Sequence, residues 1–180
     1  MMNFIVLIAV VVVFLVLSFN KMVDRKNKVD NAWGQVDVQL KRRFDLIPNL
    51  VETIKGAAAH EKNTLEDVIR ARNSYLQADS PAEAMKANKQ MTSALTRLLA
   101  VVENYPDLKA NVGFTNLQEE LSRIEDKIAY SRQFYNDTVM KYNKIIMIFP
   151  NNIFAGMFGF TKEKYFNADE SERSTPKVEF

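Results

Sequence analysis

The sequence predicts an all-α protein: an N-terminal transmembrane helix followed by an elongated antiparallel up-and-down helical bundle. The bundle is expected to have three long helices, or four segments if Pro48 breaks the first. Three observations carry this expectation. The first twenty residues contain no Asp, Glu, Lys or Arg. Beyond them, apolar residues recur at steps of three and four, the mark of one buried helix face. Only five glycines and five prolines occur in 180 residues, and β-type alternation is nowhere sustained.

The leader comes first. Phe4 to Phe19 reads FIVLIAVVVVFLVLSF, with Ser18 its one polar side chain. As a helix rising ~1.5 Å per residue it spans roughly 24 Å, a little short of the ~30 Å hydrocarbon core of a bilayer. Met1 and Met2 extend one end, and Met22 and Val23 follow Lys21, whose long side chain can reach the interface. A cleaved signal peptide fits poorly, because no Lys or Arg precedes the run and no small-x-small site follows it. Residues 4–19 are therefore expected to engage the lipid bilayer. Lys21, Arg25, Lys26 and Lys28 come immediately after, against Asp24 and Asp30. Positive charge stays on the cytoplasmic side, so the N-terminus is expected outside and the C-terminal domain in the cytoplasm.

The first apolar stripe runs Val29, Trp33, Val36, Leu40, Phe44, Ile47, Val51, Ile54, Ala58, Leu65, Val68, Arg72, Leu76, with one long interval between 58 and 65. Pro48 lies inside it. Proline lacks a donor and crowds the carbonyl four residues back, here that of Phe44. The register continues across it, which favours a kink over a hairpin. Ser80-Pro81-Ala82-Glu83 then reads as a capping box with proline at the first helical position. Met85, Met91, Leu95, Leu98, Val102 and Tyr105 follow as the second apolar face, ended by Pro106. The third stripe is the most regular: Phe114, Leu117, Leu121, Ile124, Ile128, Ser131, Tyr135, Thr138, Tyr142, Ile145, Phe149. Pro150-Asn151-Asn152 stops it, an apolar stretch runs to Phe160, and the end of the chain is polar. The expected organisation is an anchor over 1–20, a bundle over 21–165 and a flexible polar tail over 166–180.

The composition excludes several function classes. A formal net charge of +2, with both signs interspersed, gives no basic field for nucleic acid. The chain has no cysteine, so disulfides, thiolate metal sites and thiol nucleophiles are absent together. His60-Glu61 would need a second histidine at the position of Thr64 to hold a metal on one helix face. Asn136-Asp137-Thr138 is formally a glycosylation sequon but falls mid-helix. No catalytic constellation, metal site or cofactor motif emerges, and the chain is expected to be non-enzymatic.

Three groups of residues invite a binding role. Arg42, Arg43 and Asp45, near Asp37 and Pro48, form a charge constellation. Helix-surface pairing explains it most simply, with Arg43 as a docking residue for a partner's carboxylate as the functional alternative. Ile153, Phe154, Met157 and Phe158 concentrate apolar side chains after the third helix, and are expected to dock on the bundle end or a neighbouring subunit rather than enter the bilayer. The third group follows from lengths. A first stripe over 29–76 would run roughly 70 Å, while a helix over 81–105 returns only roughly 37 Å. Val29, Trp33, Val36, Leu40 and Phe44 would then lack an internal partner, and are expected to form a subunit or partner interface. Tyr135-Asn136 and Tyr142-Asn143, seven residues apart, read as core tyrosines flanked by amides.

The block from Ala32 to Val51, AWGQVDVQLKRRFDLIPNLV, closely resembles the signature of the LemA family. So do Tyr105-Pro106-Asp107-Leu108-Lys109-Ala110-Asn111, Phe114 to Leu121, Arg132 to Asn143, and Phe149-Pro150 through Gly159-Phe160. The similarity covers roughly residues 20 to 168; Gly34 and Phe44 stand at positions that vary in the family. The resemblance implies a bacterial or archaeal protein with one N-terminal hydrophobic segment and an antiparallel helical bundle. It implies no established enzymatic activity, and a relative among magnetosome proteins points to membrane organisation. The expected function is a membrane-anchored scaffold or assembly protein that forms homo-oligomers or recruits unidentified membrane-associated proteins. The alternative is a membrane-bound signalling adaptor or sensor acting through the Pro48 region.

Overall fold

A computed structural model describes residues 2–56, 58 and 61–166. The elements are α1 (Met2–Lys55), α2 (Lys62–Leu76), α3 (Pro81–Val102), α4 (Pro106–Lys109), α5 (Val112–Met147) and α6 (Asn151–Met157). All regular structure among the described residues is helical. Among the described residues two compact units result, 2–35 with 132–165 and 36–131 with Phe166; the expected tail lies, beyond Phe166, outside the described residues. α1 and α5 supply residues to both.

The second unit is built from parts of α1 and α5 with α2, α3 and the short α4. α1 contributes Val36, Leu40, Phe44, Ile47, Leu50 and Ile54, all at most 1% exposed. Pro48 lies within α1 and neither ends nor reverses it. The reversal comes after Lys55 instead, where Gly56 opens a turn whose bonds include Ala58 N–H to the Ile54 carbonyl (2.8 Å) and Glu61 N–H to the Ala58 carbonyl (3.0 Å). The expected single helix to Leu76 is thus two helices. The long 58–65 interval was the break, and glycine, after proline the residue most costly to hold in a helix, stands just before it. His60 lies outside the described residues.

α2 returns along α1, bringing Tyr75 to Asp37 (2.8 Å). α3 begins as the sequence predicts: Ser80 Oγ accepts from Glu83 N–H at 3.3 Å, and Glu83 Oε2 accepts from Asp79 N–H at 2.9 Å. It runs back past α2, where Arg97 pairs with Asp67 at 2.8 Å. α5 then descends antiparallel to α1, placing Glu125 at Arg43.

In the first unit, the end of α5 packs on α1. Met22, Val29 and Ala32 are buried with Tyr135, Val139, Tyr142 and Ile145. Trp33 is half-buried, edge-on to Tyr135 with centroids 5.6 Å apart. The premise that the stripe 29–44 has no internal partner is therefore corrected. Val29, Val36, Leu40 and Phe44 are buried in their own chain, because the reversal at Gly56 adds a pass and sends α5 back along α1 instead of away from it.

A non-helical strap closes this unit. Tyr135 and Tyr142 hydroxyls donate to the carbonyls of Lys164 (3.0 Å) and Thr161 (2.9 Å). Asn143 donates to the Glu163 carbonyl and accepts from its N–H, both at 2.9 Å. The repeated tyrosines and the amide thus bond strap backbone that no helix or sheet ladder pairs. Glu163 also meets Lys26 at 2.8 Å, and Lys26 meets Asp30 at 2.7 Å. Burial disfavours the Lys26 ammonium, but hydrogen bonds to both carboxylates outweigh it and raise its pKa to about 12. Burial, then the charge of Glu163, pushes the Tyr135 hydroxyl up to about 12, with Lys26 opposing.

Candidate functional site: a cleft beside a buried arginine

Arg43 is the largest fully buried side chain among the described residues, at 2% exposed. A guanidinium is costly to bury without partners, and its planar fork allows several at once. One terminal nitrogen donates to Asn88 Oδ1 (2.7 Å) and Thr92 Oγ1 (3.1 Å) on α3. The other meets Glu125 Oε1 on α5 at 2.6 Å. The carboxylate on Arg43 is thus supplied by its own chain, which corrects the reading of Arg43 as a dock for a partner's carboxylate. Arg42 and Asp45 are exposed on α1, so the expected patch of three does not come together. Arg43 ties three helices.

Its neighbour reinforces the same level of the bundle. Phe44 stacks on Tyr75 with centroids 4.1 Å apart and planes 8° from parallel. The Tyr75 hydroxyl donates to Asp37 Oδ1. Burial first, then that hydrogen bond and the charges of Asp37 and Asp45, pushes Tyr75 well above the ordinary phenol range.

One opening in this unit lies between α1 and α2. It is a cleft of about 580 Å³ lined mainly by Ile47, Pro48, Val51, Leu65, Ile69 and Arg72, with Glu52, Lys55, Lys62 and Glu66 around them. Ile47 and Leu65 are buried, Val51 is half-buried, and Ile69 is 40% exposed. Arg72 Nε is buried and has no hydrogen-bond partner among the described residues. An apolar trough edged by charged side chains suits the apolar face of a helix or strand. By contrast, a smaller cleft between α2 and α3 is lined mostly by charged and polar residues, including the paired Asp67 and Arg97.

Sequence reasoning placed Arg43 and Pro48 near a site but missed Tyr75, Asn88 and Glu125. One signal existed. Arg43 falls three residues after Leu40 and four before Ile47, so a charged residue occupies a core register. Of the predicted apolar group, Phe154 lies 6.2 Å from Phe14 and Phe158 lies 5.0 Å from Phe19, ring to ring. Ile153 and Met157 are exposed. These rings dock on the apolar leader of α1, a surface the sequence had not suggested.

An apolar N-terminal helix, long and apolar enough to cross a membrane, and helices tied by buried polar clusters define a class: helical bundles with one candidate membrane span. The family follows from direct comparison. The LemA family profile matches residues 32–180, and the chain belongs to that family. It is similar to protein LemA of Metamycoplasma hominis, 26% identical over 155 residues that cover 86% of this chain and 71% of that protein. It is also similar to magnetosome protein MamQ 2 of Paramagnetospirillum magneticum, 25% identical over 193 residues, 91% of this chain and 71% of the relative. Magnetosome protein MamQ of Magnetospirillum gryphiswaldense is 23% identical with the same coverage.

Proposed function

We propose that this chain is a non-enzymatic, membrane-anchored scaffold that holds a partner protein, or a second copy of itself, in the α1–α2 cleft. The observation that carries the reading is the cleft itself: Val51 and Ile69, apolar side chains of two helices, are left partly open to it. The polar groups of the family's motif residues support it from the other side. Arg43, Tyr135, Tyr142 and Asn143 meet groups of their own chain, as parts of a platform would. None of the relatives' names designates an enzyme. Pro48, the proline inside α1, lines the same cleft, which is the feature favouring the adaptor alternative. The test is a photoreactive residue at Ile69 in living cells, expected to capture one discrete protein.

The scaffold is placed with its bundle in the cytoplasm, on the strength of the uncharged leader and the four basic residues after it. Because the chain has no cysteine, Ser174→Cys gives a single label site. An impermeant thiol reagent applied to intact cells should leave it unlabelled until the cells are lysed. Labelling in intact cells reverses the assignment.

A further inference from the structure

The end of α5, the turn after it and α6 carry an unusual surface. No charged residue occurs between Lys144 and Lys162. Met147, Ile148, Phe149, Ile153, Met157 and Phe158 are 50%, 46%, 79%, 53%, 74% and 48% exposed. Monomeric soluble proteins seldom expose so many large apolar side chains within one short segment. The aromatic contacts fix where the patch lies: Phe154 meets Phe14, and Phe158 and Phe160 meet Phe19. Both partners belong to the charge-free leader.

Depth follows from helix geometry. The charge-free leader ends at Asn20, and a rise of ~1.5 Å per residue puts Phe14 roughly 9 Å further in. Elements that lie in a membrane interface bury their apolar face by about 5–10 Å. A segment in ring contact with Phe14 and Phe19 therefore sits at acyl-chain depth whenever the leader crosses a bilayer. Backbone chemistry permits it, because a lipid-exposed segment must satisfy its own polar groups. Gly159, at φ 76°, closes α6 by letting Phe160 N–H reach the Ala155 carbonyl at 2.9 Å. Asn151 Nδ2 donates to the Ile145 carbonyl at 3.2 Å. Lys144 and Lys162 flank the segment, where their stems can carry the ammonium groups to headgroup level.

We propose that residues 147–158 form a second membrane-embedded element, lying in one leaflet beside the anchor, with lipid acyl chains covering its exposed apolar face. The protein would then hold the bilayer by a span and by a wedge. The proposal rests on the reading of the leader as a membrane anchor and adds a lipid contact to it.

The test reconstitutes the full chain, with Trp33 replaced by Phe, in phosphatidylcholine vesicles. Single tryptophans are placed as Phe149→Trp, Met157→Trp or, for the anchor, Phe14→Trp. Emission from Phe149→Trp and Met157→Trp should be quenched by phosphatidylcholine brominated near the top of its acyl chains, about as strongly as that of Phe14→Trp, and should resist aqueous iodide. The proposal is overturned if Phe14→Trp responds to brominated lipid while the other two respond only to iodide, which leaves the anchor standing. It is also overturned if the two resist both quenchers, the mark of a second copy covering the face. If Phe14→Trp itself escapes brominated lipid, the anchor fails and the proposal falls with it. Far-UV circular dichroism of each variant must match the parent, and the two independent positions guard against a local misfold.

Discussion

Arg43→Met is expected to destabilise the helical unit 36–131 by about 3–5 kcal/mol, the usual cost of removing one partner of a buried ion pair. Methionine keeps the aliphatic stem and removes the donors. Asn88 Oδ1, itself in a residue only 5% exposed, then loses its 2.7 Å bond, and a buried acceptor without a donor costs about 1–3 kcal/mol by itself. Glu125 is 43% exposed and can take water back, which draws the expected figure toward the lower end, about 3 kcal/mol. Thermal unfolding of the full chain in detergent, followed by circular dichroism, should show the unit melting roughly 12–24 °C lower. Arg43→Lys should fall between the two, since lysine keeps the charge but lacks the fork that reaches α3 and α5 together. A shift below about 2 °C for Arg43→Met would mean the cluster ties nothing.

Phe44→Ala is the second large effect, about 3–5 kcal/mol. The ring is 1% exposed and stacked on Tyr75, so its loss combines a transfer term with a cavity that helix backbones cannot readily close. Phe44→Leu should recover much of this by refilling the volume without the stack. Urea unfolding of the full chain in detergent measures both. Equal destabilisation by Ala and Leu would show that the stack, rather than the filled volume, is what matters. Arg43 and Phe44 are adjacent and brace the same level of the bundle, so the double variant should not equal the sum of its parts.

What the sequence revealed tracks how local each signal was. The Ser80 cap with Pro81 and Glu83 was legible because every atom involved lies within a few residues. The leader and the α5 stripe were legible from composition and period alone. The end of α1 was misread because apolar steps resume at Leu65 in a compatible register, although Gly56 and the long interval mark a break. That one misreading propagated. With the reversal missing, the stripe from Val29 to Phe44 looked unpartnered, and a subunit interface was inferred for side chains that fold inward. The strap over 160–165 has no periodicity, and the residues that hold it, Tyr135, Tyr142 and Asn143, look like ordinary helix positions until the chain returns to them. The burial of Arg43 was hinted at by its register, but Asn88 and Glu125 are far away in sequence and no local rule could pair them. The α1–α2 cleft is likewise a property of packing rather than of any motif.

The scaffold reading depends on that cleft being occupied in the cell, and one measurement reaches it directly. A photoreactive amino acid is introduced at Ile69, on the cleft, and in a parallel strain at Lys141, an exposed position on α5. After irradiation of living cells, the Ile69 position should yield one discrete crosslinked product, either a dimer of the chain or an adduct with one other protein. Lys141 should yield no such product. If Ile69 gives the same diffuse background as Lys141, with the protein present in the membrane and folded, the cleft holds nothing and the scaffold account is contradicted.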